Sequence, residues 1–220
     1  MTTQNQEQQM TDYKTGEAAR RRYQDILRDI LKPAQTERVG ENREQMMIQV
    51  ADLSGTPEKP NEVDCVVGIV DMFNAQHVQT IIEKAWVCLK PGGTISLDFP
   101  DFSKTQGFPM SYALDEFVAY LSKYQEALGF ALSTTGIRSL VPEARFEHID
   151  VQAFVPRFLE PGQRKLPALV LESIKPYLVE NDLGSEMELD AIVSELRHLS
   201  TQQHMMISGP MMLHLDAYKK

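Results

Sequence analysis

Apolar residues recur along this chain first at helical spacing, then in short strand-like runs. Ala19, Tyr23, Ile26, Leu27, Ile30 and Leu31 share one face of a helix that starts near Gly16 and is closed by Pro33. The charged residues Arg20, Arg21, Arg22, Asp25, Arg28 and Asp29 occupy the other face and read as solvated. Met46 to Val50 is a weak strand candidate. Val63 to Val70 (VDCVVGIV) is a stronger one, a nearly unbroken apolar run of the kind buried on both faces of a parallel sheet. Val78, Ile81, Ile82, Ala85, Trp86 and Leu89 then line a helix, which Lys90-Pro91-Gly92-Gly93 is expected to cap and end. Thr94 to Phe99 reads as the next strand. Strand, helix and strand in that order predict a right-handed parallel βαβ unit.

Further on, Phe117, Tyr120, Leu121, Tyr124 and Leu128 fit one amphipathic helix, and Phe146 to Phe154 reads as a strand. Residues 132–141 fit either type of element. Leu166 to Leu178 and Met187 to Leu199 predict two more helices. At the end, Met211, Leu213, Leu215 and Ala217 alternate with Met212, His214, Asp216 and Tyr218 as in a strand. Residues 1–12 are Gln/Thr-rich and read as a disordered tail. No linker divides the remainder, so 13–220 reads as a single domain of α/β class.

Composition narrows the function classes. With 220 residues and a formal net charge of −9, the chain lacks the basic footprint of a nucleic-acid or anionic-membrane binder. Neither a membrane span nor a secretory signal is recognisable. Cys65 and Cys88 are the only cysteines, too few for a disulfide framework or a cysteine-rich zinc site, and a reducing cytoplasmic setting is the default. The five histidines form no metal-binding spacing, so no metal is expected. His148 and His214 fall on predicted strands. No Gly-x-Ser-x-Gly elbow, Walker loop or cysteine–histidine nucleophile motif is present.

The segment EVDCVVGIVDMFNAQHVQTIIEKAWVCLKPGGTISLDF resembles the central part of class I S-adenosylmethionine-dependent methyltransferases. In that family an Asp opens the fourth strand, a helix follows, and Leu-Lys-Pro-Gly-Gly leads into the fifth. Asp64 and Leu89 to Gly93 stand at those places. The resemblance implies a Rossmann-like three-layer sheet with helical cap insertions near 106–145 and 160–203, of the kind found in small-molecule methyltransferases. Phe146 to Phe154 would be the sixth strand and 205–218 the last. Val50-Ala51-Asp52-Leu53 resembles the end of the third strand, where the family places an acidic residue near the cofactor's adenine.

One part of the family pattern is missing. Its first strand ends in a Gly-x-Gly loop and its second in an acidic residue that accepts the ribose hydroxyls. The loop needs glycine because backbone approaches cofactor closely there. Here only Ala34 to Gln45 joins Pro33 to the next strand, with the single glycine Gly40, and no Gly-x-Gly occurs before residue 93. A βαβ unit takes about 30 residues or more, so the first two strands and their helix do not fit. The third and fourth strands are thereby expected to lie side by side, in a sheet shortened by two strands.

Ligands of open α/β sheets bind at the C-terminal ends of the strands. Asp71, Met72 and Phe73 follow the fourth strand, and Asp98, Phe99, Pro100 and Asp101 stand at the end of the fifth; these are the expected cleft-lining positions. His77, at the mouth of the same cleft, is the candidate base toward a substrate hydroxyl, with Asp71 beside it; His77 reads first as a surface histidine at a helix N-terminus, and Asp71 reads equally well as a helix or turn cap. Asp52 and Met72 are candidate cofactor contacts; Phe73, Phe99, Asp101 and Tyr112 are candidate substrate contacts. Methionines 205, 206, 211 and 212 read as core before pocket.

Three functions remain open. The chain is a methyltransferase relative without independent S-adenosylmethionine binding, serving as a pseudoenzyme, an assisting subunit or a non-methylating pocket such as a cyclase, in secondary metabolism. Alternatively it is an active enzyme with an atypical or partner-completed cofactor site, or a non-catalytic interaction module. Each admits a homo- or hetero-oligomer, a dimer being the simplest cover for exposed strand edges.

Overall fold

The computed structural model describes residues 16–31, 45–49, 61–70, 78–129, 134–158 and 160–220; the expected tail at 1–12 lies outside them. The chain divides into two compact units built from interleaved segments. The sheet unit comprises Leu31–Asp101, Phe130–Val155 and Met211–Lys220. The helical unit comprises the chain up to Ile30, Phe102–Gly129 and Pro156–Pro210.

The sheet unit contains strands β1 (Gln45–Gln49), β2 (Val63–Ile69), β3 (Leu89–Asp101), β5 (Phe146–Phe154) and β8 (Met211–Lys219), with helices α2 (Val78–Cys88) and α4 (Thr134–Leu140). The strand order is β1-β2-β3-β8-β5. β1, β2 and β3 run parallel, and β8 is antiparallel to both of its neighbours. β1 pairs directly with β2 from Gln45↔Cys65 to Gln49↔Ile69, the juxtaposition expected from the short join before it.

One sheet face packs against α2 and α4. Val66, Ile95, Leu97, Phe99, Leu213, Leu215 and Ala217 from the strands meet Val78, Ile81, Ile82 and Ala85 from α2 and Ile137 from α4, forming one buried core. Each such side chain contributes roughly 1.5–3 kcal/mol by leaving water. The α2 face read from the sequence is the one buried: period 3.6 in the helix meets period 2 in the strands.

The Leu-Lys-Pro-Gly-Gly element does not cap α2 as expected. It begins β3, and a bulge inside that strand absorbs it. Val63 pairs with Leu89 and Cys65 with Thr94, so Asp64 alone stands opposite Lys90, Pro91, Gly92 and Gly93. Gly92 adopts φ +74°, and a Cβ on Gly93 would lie 2.9 Å from the Lys90 carbonyl oxygen and 3.1 Å from that of Asp64. Both positions therefore require glycine.

The carbonyls at the end of α2 are satisfied from elsewhere. The backbone N–H groups of Asn61 and Glu62 donate to Val87 and Cys88 at 3.0 and 2.9 Å. Lys219 Nζ donates to the carbonyls of Trp86 and Leu89 at 2.7 and 2.6 Å and to Asn61 Oδ1 at 2.8 Å. A cation at the negative end of a helix is favourable, and it also sits 4.6 Å from the centre of the Trp86 ring. Burial pulls this ammonium below the usual lysine range.

The helical unit contains α1 (16–31, of which 16–30 lies in this unit), α3 (Tyr112–Ala127), the single turn α5 (Pro161–Arg164), α6 (Leu166–Glu180) and α7 (Glu186–Thr201), with short strands β4 (Gln106–Phe108), β6 (Arg157–Phe158) and β7 (Met206–Ser208). α3, α6 and α7 pack on one another. In α1, Ala19, Tyr23 and Leu27 are buried, as the periodicity predicts. Gly16 allows close approach to α6: a Cβ there would lie 3.3 Å from Pro176. Rings fill the centre edge-to-face, Tyr23 on Phe102 and Phe102 on Phe117, with centroids 6.3 and 6.5 Å apart. On the solvent face of α1, Arg21 pairs with Glu17 at 2.5 Å and Arg28 with Asp25 at 2.9 Å, the solvated reading of those charges.

The final strand expected over 205–218 is two strands. β7 pairs with β4 and β6 in the helical unit, and β8 belongs to the sheet unit. Gly209-Pro210 separates them. A Cβ on Gly209 would meet the Phe158 ring at 2.6 Å, and Pro210 has no N–H to continue a ladder. Among the described residues no helix is long and apolar enough to cross a membrane.

Candidate functional site

Asp52, Asp71, Met72, Phe73 and His77 lie outside the described residues. The other three candidates are each placed within their own unit. Phe99 is fully buried on the α2/α4 face of the sheet, inside the core. Asp101 ends β3 opposite Met211 and is 3% exposed. Tyr112 opens α3 in the helical unit and is 76% exposed.

The sheet face opposite α2 and α4 carries a polar cluster that no local sequence pattern announces. Ser96 and Asp98 on β3 stand directly opposite Asp216 and His214 on β8, and alternation puts all four on one face. His214 Nδ1 donates to Asp98 Oδ1 at 2.8 Å and Nε2 donates to Asp216 Oδ2 at 3.0 Å. Ser96 Oγ lies 3.4 Å from the same Nε2. His214 and Asp98 are at most 1% exposed, and Ser96 is 2% exposed. Burial works against the charged imidazole, but the hydrogen bonds to Asp216 and Asp98 and their negative charge outweigh it and hold the group at about 9.

This geometry decides the chemistry of the cluster. Serine, histidine and aspartate in contact suggest nucleophile activation, which needs a neutral imidazole with a lone pair facing an accessible hydroxyl. His214 is protonated at neutral pH, and both of its N–H groups are engaged by carboxylates. Ser96 is sealed from solvent. The cluster is therefore a clamp between β3 and β8. Asp64 and Lys90, at the positions of the family resemblance, form a half-exposed ion pair of 3.3 Å across the β3 bulge. That pair bridges the bulge.

The sheet unit is of α/β class, with three parallel strands and two helices packed on one face. No family model matches this chain, and no curated protein does. Among solved structures the chain is similar to a SAM-dependent methyltransferase from Thermotoga maritima, at 11% identity over 99% of this chain and 95% of that one, with a TM-score of 0.41. It is also similar to phosphoethanolamine N-methyltransferase 2 of Haemonchus contortus, solved with phosphomonomethylethanolamine and S-adenosylhomocysteine, at 15% identity over 74% of this chain and a TM-score of 0.34. The chain spans 34% of that enzyme's length. A third similar structure is the cyclopropane synthase MmaA2 of Mycobacterium tuberculosis, at 15% identity over 76% of this chain and 58% of that one, with a TM-score of 0.34. Chemistry is argued from the residues.

The strand arrangement and the sequence around it bear on cofactor binding. β1 lies hydrogen-bonded against β2, with no strand between them. The segments on either side of β1, residues 32–44 and 50–60, hold one glycine each, Gly40 and Gly55. A backbone cradle needs glycines spaced closely enough for two successive N–H groups to approach the ligand. Asp98, toward the C-terminal end of β3, is held by His214. No group of three or more His, Cys, Asp or Glu among the described residues could hold a metal ion.

Proposed function

We propose that this chain is a relative of small-molecule methyltransferases that does not bind S-adenosylmethionine unaided. It serves as an assisting subunit, a pseudoenzyme or a pocket for a non-methylating reaction such as cyclisation. The direct β1–β2 pairing, after a join too short for a βαβ unit, carries this reading. In it, a second copy or a different partner covers the strand edges. Asp71 and His77 are assigned the acid–base role toward a substrate hydroxyl, and Asp52, Met72 and Phe73 are assigned to cofactor or substrate contact, from their places in the sequence.

Ligand-linked stability tests the proposal. A ligand held at one hundred times its dissociation constant stabilises the native state by about 2.7 kcal/mol, a shift of several degrees in a thermal melt. Millimolar S-adenosylhomocysteine is expected to leave the melting temperature of the purified chain unchanged. A rise of several degrees would overturn the proposal and favour the active enzyme instead.

A further inference from the structure

The five-stranded sheet ends in β5 on one side and β1 on the other, each hydrogen-bonded on one side only among the described residues. The two edges are built differently. β5 is spoiled as a template for a further strand. Between Glu147 and Asp150 it carries one residue more than β8 opposite, and His148 there takes φ +50°. Such a bulge bends a strand and interrupts its ladder. Arg138 of α4 reaches the same point, and its Nη1 donates to the Ile149 carbonyl at 2.6 Å, so that acceptor is already occupied. Exposed Glu147 and Asp150 flank the bulge, and Pro156 after the strand has no N–H to offer. Bulges, charges and prolines are the devices that keep an edge from pairing.

β1 has none of them. Its register with β2 runs unbroken from Gln45↔Cys65 to Gln49↔Ile69. Its sequence, Gln-Met-Met-Ile-Gln, holds no charge, proline or glycine. Alternate residues of an edge strand turn their N–H and C=O away from the paired side, where they invite another strand. The sequence also has the same polarity read in either direction. In an antiparallel pair of two copies centred on Met47, Gln45 stands opposite Gln49, Met46 opposite Ile48 and Met47 opposite itself. Polar meets polar, apolar meets apolar, and no like charges are opposed. Such a strand is complementary to itself about a two-fold axis, the symmetry of most homodimers.

We propose that a second copy of this chain covers the β1 edge, through antiparallel β1–β1 pairing that joins the two sheets into one, and that β5 stays unpaired. The inference rests on the reading that a partner covers the strand edges, and it names the edge and the partner. A ladder of five-residue strands is short, so the dimer belongs to the weak, exchanging class of interfaces.

Sedimentation of the whole wild-type chain from roughly 5 to 200 µM is expected to move from monomer toward dimer, as for a dissociation constant in that range. Cysteine cross-linking then locates the edge. Directly opposite residues of an antiparallel pair have Cα atoms about 4.5–5.5 Å apart, within reach of a disulfide. Met47→Cys is expected to give a disulfide-linked dimer under mild oxidation, and Gln152→Cys, on exposed β5, none. A mixture of Gln45→Cys and Gln49→Cys chains is expected to cross-link several-fold better than either alone. That pair reports the register even where Met47→Cys perturbs the fold. The wild-type chain is the blank, because Cys65 and Cys88 are buried. A monomer across the whole range, as when a different partner or another part of this chain holds the edge, overturns the inference. Cross-linking through Gln152→Cys, or a dimer that none of the β1 variants traps, overturns it too. None of these measurements involves S-adenosylmethionine, so they stand apart from whether the chain binds that cofactor.

Discussion

Replacing His214 with asparagine removes the imidazolium that pairs with Asp98 and Asp216 in the β3–β8 clamp. The structure sets the magnitude and the pH window of the effect. The imidazole is held at about 9 against an ordinary value of 6.5. At 1.36 kcal/mol per pH unit this corresponds to about 3 kcal/mol of folding stability. The folded value lies above the unfolded one, so the native state binds the proton more tightly. The stabilisation is fully present below about pH 6.5, declines as pH rises toward 9, and is gone above it. At pH 6, His214→Asn is expected to cost about 3–5 kcal/mol, as when one partner of a buried ion pair is removed. Urea unfolding of both proteins at pH 6, 7.5, 9 and 10 is the assay. Other shifted groups, such as Lys219 and Cys88, are common to both proteins and cancel in the difference. The gap between them is expected to narrow by about 3 kcal/mol across that range. A gap that stays constant with pH would refute the account of His214 as a buried, doubly paired imidazolium.

Three further outcomes follow from the packing. Gly93→Ala drives a Cβ against the Lys90 carbonyl and is expected to lose about 1–3 kcal/mol in chemical denaturation, whereas Asp64→Asn, which weakens the half-exposed pair with Lys90, is expected to lose about 1 kcal/mol or less. Phe117→Ala opens a cavity beside Phe102 in the helical core and is expected to cost about 3–5 kcal/mol. Cys65 and Cys88 are both buried, and burial also raises the Cys88 thiol; a disulfide reagent is expected to modify neither in the native chain and both in urea.

Much of the sheet unit is legible in the sequence because period-2 and period-3.6 patterns face one another there. The VDCVVGIV run, the α2 stripe and the alternation of Met211 to Tyr218 each carry their own signal. Even the β1–β2 pairing follows from counting residues before β1. The polar clamp is not legible in the same way. Asp98 and His214 are 116 residues apart, and each alone looks like an exception in an apolar strand; only the β3–β8 register brings them together. The glycines of Leu-Lys-Pro-Gly-Gly suggest a helix cap because Gly and Pro punctuate helices and bulges alike. What decides between them is Lys219, from the far end of the chain, which satisfies the end of α2. β4, β6 and β7 have two or three residues each, too short for any periodicity to register. Of the candidate site, Phe99 shows how position at a strand end differs from orientation: its side chain points into the α2 core, and Asp98, one residue earlier, points to the other face.

Isothermal titration with S-adenosylmethionine and S-adenosylhomocysteine tests the central claim most directly, since the claim concerns whether a cofactor site exists on this chain. The account predicts no saturable heat at millimolar ligand. Stoichiometric binding in the micromolar range would contradict it and show that the chain holds the cofactor without the glycine loop.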